Sequence, residues 1–362
     1  MVSANAFPVM GGAETHIHEV APRIAGSGFD VTVLTTDRSA QLAAAERVNG
    51  VDVRRVRAWP KGRDYYFAPG LYRELTRQHW DLIHCQGYHT LVPVLAMLAA
   101  IRTRTPFVVT FHSGGHGSHL RTRLRSIQRR MLRPLLARAR RLIAVSDWER
   151  VELAALLRLP GSRFVTIPNG AAMQAAPSTV AEDPSLIVSI GRLERYKGHH
   201  RAIAAMPHLL ELIPEARLRI VGAGPYEAEL RRLTDELGVS DMVEIAGVDP
   251  RNRDAMARLL TSSALVLLLS EYESQGIAAL EALSLGRRLA VADSTALRDL
   301  ASKGWARAIS LDATSAETAQ AIFEHLQSDP PQALDLPTWD SCAAQLASLY
   351  RDVLGTRTRG QP

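Results

Sequence analysis

Two carboxylates, Glu273 and Glu281, stand eight positions apart in SEYESQGIAALEALSLG, residues 270–286. A small polar turn, Ser274-Gln275-Gly276, and an almost wholly apolar run separate them. The buried-strand run ALVLLL (264–269) comes before, and GRRLAVAD (286–293) comes after. The order is therefore strand, turn, helix, strand, with Glu273 on the turn entering the helix and Glu281 about two turns further along. An acid at a helix mouth can be no more than a dipole-matched cap. An acid inside an apolar helix asks for a partner.

Cations of a matching kind lie in SIGRLERYKGHHRAI (189–203). A strand ends at Gly191, Arg192 follows it, and Lys197-Gly198 opens the next helix. A phosphate there would meet a planar guanidinium fork, a point charge and the positive end of a helix, a set suited to a pyrophosphate. The plain alternative is two solvated surface cations. In FPVMGGAETHIHEV (7–20), Gly11-Gly12 stands ahead of an amphipathic helix, where backbone N–H groups can approach an anion or simply form a turn. In FVVTFHSGGHG (107–117), His112 follows a buried strand and precedes a Gly-rich loop, the place of either a cleft residue or a structural histidine.

Several other chemistries are excluded. GAGPYE (222–227) follows a strand, but the third glycine of a dinucleotide fingerprint would fall on Glu227, which leaves a tight turn. G-x-x-x-x-G-K-[ST], H-E-x-x-H, C-x-x-C, D-x-D and G-x-S-x-G are all absent. No metal ligands are assigned.

The elements that must hold these residues alternate along the chain. Strand-like runs at 31–36, 51–56, 81–85, 107–111, 141–145 and 164–167 have helical patterns between most of them. After Asn169-Gly170 comes AAMQAAPSTVAEDPS, small, polar and aperiodic, which reads as a linker. The alternation restarts with strands at 186–190, 217–221, 242–246, 264–269 and 288–292. This predicts an α/β protein of two doubly wound, Rossmann-like domains facing across a cleft, with ligands at the carboxyl ends of the strands. The expected domains are 1–171, a linker 172–184, 185–336, and a terminal helical segment 337–362. A chain of 362 residues, 46% apolar, is long enough for two full cores.

No window of about 18 uncharged apolar residues occurs, so no membrane span is expected. MVSANAFPVMGG lacks the basic stretch and long apolar run of a signal peptide. Cys85 and Cys342 read as small buried hydrophobes, and a cytoplasmic protein is expected.

Together these segments resemble retaining glycosyltransferase family 4, with its two-domain GT-B fold. The resemblance runs from Gly11-Gly12 through VSDWER (145–150), IPNG (167–170), GRLERYKG (191–198), VGAGP (221–225) and EYESQGIAALEAL (271–283). WDSCAAQLASLYRDVL (339–354) resembles the family's terminal helix, which crosses back toward the first domain. The pairing of G-R-x(4)-K-G with two glutamates is the specific part.

The resemblance implies a UDP- or GDP-linked sugar as co-substrate and no cofactor. Glu281 would accept hydrogen bonds from the ribose diol, and Glu273 would face the sugar, with Gln275 and Gly276 supplying N–H groups nearby. Arg192 and Lys197 would hold the diphosphate as it leaves, in place of a metal. Gly12 would bring N–H groups to the phosphate, and His112 would lie near the sugar and the acceptor.

Two departures leave the sugar open: Gln275 stands where an aromatic is usual, and Ser294-Thr295 where a glycine pair is common. MVSANAF also begins where the family has several residues more, so the first strand looks short. A sugar-nucleotide epimerase would show extra cleft carboxylates, and a phosphorylase a pyridoxal lysine. A non-enzymatic sugar-binding protein would have no use for Arg192 and Lys197.

The net charge of +6 hides an asymmetry. Residues 102–141 hold eleven arginines and no acid, so the rest of the chain sums to −5. In 121–141, nine arginines accompany an expected apolar stripe of Leu120, Leu124, Ile127, Met131 and Leu135, with Pro134 breaking or kinking the helix. The stripe would pack on the first domain, leaving arginines solvated or set against anionic lipid head groups. No aromatic interleaves the segment, which argues against nucleic acid. A lipid-linked or surface-polysaccharide acceptor would suit such a surface; otherwise the acceptor is a soluble sugar or natural product.

Overall fold

The computed structural model describes residues 1–8, 11–39, 41–60, 67–114, 119–171, 173, 180–249, 252–332 and 334–358, without the side chains of 119–126 and 356–358. The Gly-rich loop 115–118, Leu120 and Leu124 side chains and most of the expected linker lie outside that description.

The chain forms two compact units. The first comprises Met1–Ser113, Thr122–Gly170 and Pro337–Pro362, and the second Gly114–Arg121 and Ala171–Leu336. From the amino end, α1 (Gly12–Gly26) leads to β1 (Thr32–Asp37), β2 (Ala45–Val48), β3 (Val51–Arg57), α2 (Pro69–Arg77) and β4 (Ile83–Gln86). Then come α3 (Leu91–Thr103), β5 (Phe107–Thr110), α4 (His119–Leu136), β6 (Arg141–Ala144), α5 (Asp147–Leu157) and β7 (Phe164–Thr166).

Two ladders, β1-β3-β2 and β4-β5-β6-β7, are joined by the first residues of the chain. Val2 bridges Leu34 on one side and Cys85 on the other, and its N–H donates to the His84 carbonyl at 2.8 Å. Three residues thus do the work of the first strand. All pairings are parallel except β2 with β3. β5 is buried along its whole length, as a parallel strand covered on both faces must be. Cys85 and Cys342 are buried and free.

The helix α4 corrects the sequence reading. It runs through Pro134 to Leu136 as one element, the proline removing one backbone hydrogen bond and only two helical residues following it. Ile127 and Met131 are 58% and 73% exposed, whereas Leu132 and Leu136 are buried. Leu135 of the expected stripe does pack against the core, so the stripe fails at Ile127 and Met131, and Leu132 and Leu136 are the buried residues instead.

The second unit contains β8 (Asp183–Ile190), α6 (His199–Leu212), β9 (Arg217–Val221), α7 (Glu227–Glu236), β10 (Val243–Ile245) and α8 (Arg253–Ser262). It continues with β11 (Ser263–Leu268), α9 (Ile277–Ser284), β12 (Arg288–Ala292), α10 (Thr295–Ser302), β13 (Arg307–Ile309) and α11 (Ser315–Leu326). The final helix α12 (Trp339–Thr358) returns to the first unit, where it packs on α1.

The second sheet is wholly parallel in the order β10-β9-β8-β11-β12-β13. Numbered from β8, this is 3-2-1-4-5-6, the doubly wound order whose direction reverses between its first and fourth strands. The switch point therefore lies between β8 and β11, and whatever follows their carboxyl ends is brought together. Every residue of β11 is buried; burying a Leu or Val side chain contributes about 1.5–3 kcal/mol.

GAGP is more than the expected tight turn. A Cβ on Gly222 would lie 1.9 Å from the Gly191 carbonyl oxygen. The 191–193 backbone passes directly over this loop, with Leu193 N–H donating to Ala223 O at 3.0 Å. The glycine serves the close approach of two chain segments.

Candidate active site

β8 delivers Gly191 and Arg192 to the switch point. A 3-10 turn, Arg195–Lys197, then leads into Gly198, which caps α6 with φ 74. A Cβ there would strike the Leu269 carbonyl at 1.9 Å, so only glycine lets the turn lie against the end of β11. β11 in turn delivers Ser270 and Glu273. Lys197 Nζ donates to Glu273 Oε1 at 2.6 Å, with side chains only 15% and 14% exposed. The Ser270 hydroxyl donates to the same oxygen at 2.8 Å. Burial works against the Lys197 ammonium, but Glu273 outweighs it and holds the group above its ordinary pKa.

Arg192 is exposed and donates to the Tyr196 hydroxyl at 2.7 Å, with Glu194 at 2.9 Å. The two cations read as a pair in the sequence are thus held differently, Lys197 by Glu273 and Arg192 at the rim. Glu281, buried in α9, accepts from Arg253 at 2.6 Å, and Arg253 is the first residue of α8. Gln275 and Gly276 are both buried on the turn before α9.

Sequence reasoning missed the supports. The Glu273 backbone N–H donates to the Thr295 hydroxyl at 2.9 Å, and the Ser294 hydroxyl donates to Ser270 O at 2.7 Å. Thr295 holds φ 44, a left-handed conformation unfavourable for a β-branched residue. The threonine has a function in that conformation: its hydroxyl anchors the turn that carries Glu273. Thr295→Val should leave that N–H without its acceptor and cost about 1–3 kcal/mol, read as a lower urea midpoint. An unchanged midpoint would show that the hydroxyl does nothing there.

The first unit gathers a second polar group. His112 lies just past β5 with φ 47, and its Nε2 donates to Gln86 Oε1, at the end of β4, at 2.8 Å. The His16 ring meets it edge-on at 4.7 Å, and His16 Nδ1 donates to Asn169 Oδ1 at 2.7 Å. The buried Glu149 carboxylate accepts from the N–H groups of Ser113 and Val145, each at 2.8 Å, fixing the backbone beside His112. Gln86, His16 and Glu149 carried no local signal for this role, being distant in sequence from His112. Gly11 is exposed and extended at the mouth of α1, and Gly12 is the first helical residue. The Glu14 carboxylate lies beside Gly11, 2.6 Å from where a Cβ would be, so this helix mouth already has an acid next to it. Among the described residues no group of three His, Cys, Asp or Glu could hold a metal ion.

Burial pushes His16 down to about 4, and burial followed by the neighbouring histidines drives His112 well below its ordinary value. A base whose folded pKa is depressed is bound to fewer protons when folded than when unfolded. Its contribution is complete above about 6.5 and is lost as pH falls from there toward the folded pKa. Each such group should tilt stability by up to about 1.4 kcal/mol per pH unit in that window. His16→Asn should remove one proton's worth of slope from urea midpoints measured between pH 6.5 and 4.5. Parallel curves for variant and wild type would mean that His16 is charged in the folded protein.

Comparisons with known proteins bear on the family and the fold. The family described as Glycosyltransferase Family 4 matches residues 10–174, and Glycosyl transferases group 1 matches residues 173–336. The chain belongs to glycosyltransferase family 4: it is a glycosyltransferase of the two-domain GT-B fold. It is 28% identical to a D-inositol 3-phosphate glycosyltransferase of Nocardiopsis dassonvillei, over 94% of this chain and 89% of that one. It is also 28% identical to the GDP-mannose:cellobiosyl-diphosphopolyprenol alpha-mannosyltransferase of Xanthomonas oryzae pv. oryzae, over 89% and 86%. In structure it is similar to sucrose-phosphate synthase from Thermosynechococcus elongatus, with a TM-score of 0.75, 19% identity and 98% of each chain covered.

Proposed function

We propose that this glycosyltransferase moves a hexose from a UDP- or GDP-linked donor to an acceptor hydroxyl with retention at the anomeric carbon and without a metal ion. The observation that carries this reading is the Lys197–Glu273 pair at the switch point, where α6 also begins. A donor diphosphate at this helix mouth would draw Lys197 toward it, and Arg192 at the rim could turn its fork onto the second phosphate. Both charges interact more strongly with the leaving diphosphate than with the intact donor, which is the condition for accelerating the chemical step. Glu281, oriented by Arg253, takes the ribose diol. Glu273 takes the sugar, helped by the N–H groups of Gln275 and Gly276, and Gly11 and Gly12 take a phosphate oxygen. His112 is neutral and presents its Nδ1 lone pair, since Nε2 carries the proton given to Gln86. That suits it to accept a hydrogen bond from a sugar or acceptor hydroxyl, while its depressed pKa makes it a weak proton acceptor. Proton NMR of the first product formed should show the donor's own anomeric configuration. Inversion would exclude the mechanism.

The acceptor proposed is lipid-linked, reached at the cytoplasmic face of a membrane. No helix among the described residues is long and apolar enough to cross one. Support comes from α4, whose exposed Ile127 and Met131 stand among exposed arginines such as Arg130 and Arg133. Apolar side chains within a basic helix face suit an anionic interface, where each charge contributes roughly 1 kcal/mol. The Xanthomonas relative's name, a transferase to a diphosphopolyprenol, points the same way. The protein should co-sediment with anionic vesicles, not with neutral ones, and less as salt rises. Ile127→Asp with Met131→Asp should release it. Failure to bind anionic vesicles at low salt would favour a soluble acceptor, such as a free sugar or natural product.

A further inference from the structure

The second unit contains a cavity that the donor chemistry leaves unused. It measures about 310 Å³ and lies beyond the ends of β11, β12 and β13, between the first turns of α6 and α11. Leu269, Ala292 and Ile309 form its floor, and the hydroxyls of Ser310, Ser315 and Thr318 stand on one side. Arg195, His200 and Arg201 stand on the other.

Two features suit this space to an anion. α11 starts at it, bringing the hydroxyls of Ser315 and Thr318 on its first turn to the lining. Its lining, among the described residues, includes two arginines and no acidic side chain. Arg201 gives one nitrogen to Leu311 O at 2.5 Å and lies 3.5 Å from Glu271, while Arg195 is exposed. Burial, then Arg201 and Arg195, push His200 down to about 4. The imidazole is neutral chiefly because it is buried, and the two arginines add to the effect. The acid of the α11 capping box, Glu317, accepts from the N–H and hydroxyl of Thr314 at 2.8 and 2.9 Å and sets its charge against that helix end.

The volume sits at the lower end of the roughly 300–1,000 Å³ of small-molecule sites, and hydroxyls line it as well as cations. We propose that it binds a small phosphomonoester, a sugar or polyol phosphate, and that occupancy adjusts the neighbouring Lys197–Glu273 pair. The link is covalent and short. Arg195 shares one 3-10 turn with Lys197. Leu269 precedes Ser270, whose hydroxyl holds Glu273, and the Glu271 N–H ties the strand end to Tyr196 O at 2.7 Å. The coupling, though not the site, rests on the donor reading given above.

Isothermal titration of the full chain with glucose 6-phosphate, glycerol 3-phosphate and inorganic phosphate tests this, each alone and with saturating UDP or GDP. A sugar or polyol phosphate should bind with or without nucleotide, more tightly than inorganic phosphate, and shift the nucleotide's affinity. Arg195→Ala combined with His200→Gln should weaken it at least about tenfold. Nucleotide binding in the absence of the phosphomonoester, and the melting temperature, should be unchanged. Absence of binding up to about 10 mM, displacement by nucleotide, or an unaffected variant would each overturn the site. Equal affinity for all three probes would overturn the ligand class. Sugar-phosphate binding without any nucleotide binding would count against the donor reading and leave the cavity standing.

Discussion

Replacing Lys197 with alanine should lower turnover at saturating donor about a hundred- to a thousandfold, the usual cost of losing one charge-assisted donor to a developing anion, roughly 2.7–4 kcal/mol. Lys197 is mostly buried and bonded to Glu273 at 2.6 Å, so its removal also strands a carboxylate. That structural cost should be smaller than the roughly 3–5 kcal/mol of a fully buried pair, because both side chains keep some access to water. The fold should survive, with a lower melting temperature. Arg192→Ala should lose turnover in the same range with little loss of stability, since Arg192 is exposed. Retention of more than about a third of wild-type turnover by either variant would remove that residue from the clamp.

The second large effect separates the two glutamates. Glu281→Gln should weaken nucleotide binding and leave turnover at saturation close to wild type, because a ribose diol is bound equally in the ground and transition states. One charge-assisted hydrogen bond amounts to about 1.5–3 kcal/mol, or about ten- to a hundredfold in Kd. Glu273→Gln should instead lower turnover, about a hundredfold or more, with a smaller change in binding. It removes the charge that the proposed function sets next to the reacting sugar, and it leaves the Lys197 ammonium without its counter-ion. Single-turnover rates and equilibrium titrations with donor give the two quantities separately. The reverse pattern would exchange the roles, and no effect from Glu273→Gln beyond stability would reduce it to a helix cap.

The parts of this protein legible in the sequence are those set by local pattern. Runs such as ALVLLL announce strands covered on both faces, and their alternation with helices announces parallel sheets. The order of those strands then dictates that the residues after β8 and β11 meet. Lys197 and Glu273, 76 positions apart, were each visible as candidates, but their bond to each other was not. The same holds for Thr295, whose hydroxyl reaches the Glu273 N–H across 22 positions, and for Gln86 with His112 across 26. Periodicity carries no information about such contacts. β2 escaped notice because it is an exposed edge strand, AERV, with neither alternation nor an apolar run. In α4 periodicity misled: Ile127 and Met131 fit a helical stripe as well as Leu132 and Leu136 do, and only the packed structure separates the two.

The central claim is that this enzyme works on a nucleotide-linked sugar held by fixed protein charges. Its most direct test is slow donor hydrolysis by the wild-type protein, measured without acceptor across a panel of UDP- and GDP-sugars in the presence of EDTA. One donor should be consumed well above the no-enzyme rate, with free UDP or GDP as product and no recovery of rate on adding a divalent cation. Hydrolysis that appears only with added metal would contradict the proposed role of Arg192 and Lys197. Binding of free sugar with no binding or turnover of any nucleotide-sugar would contradict the account as a whole.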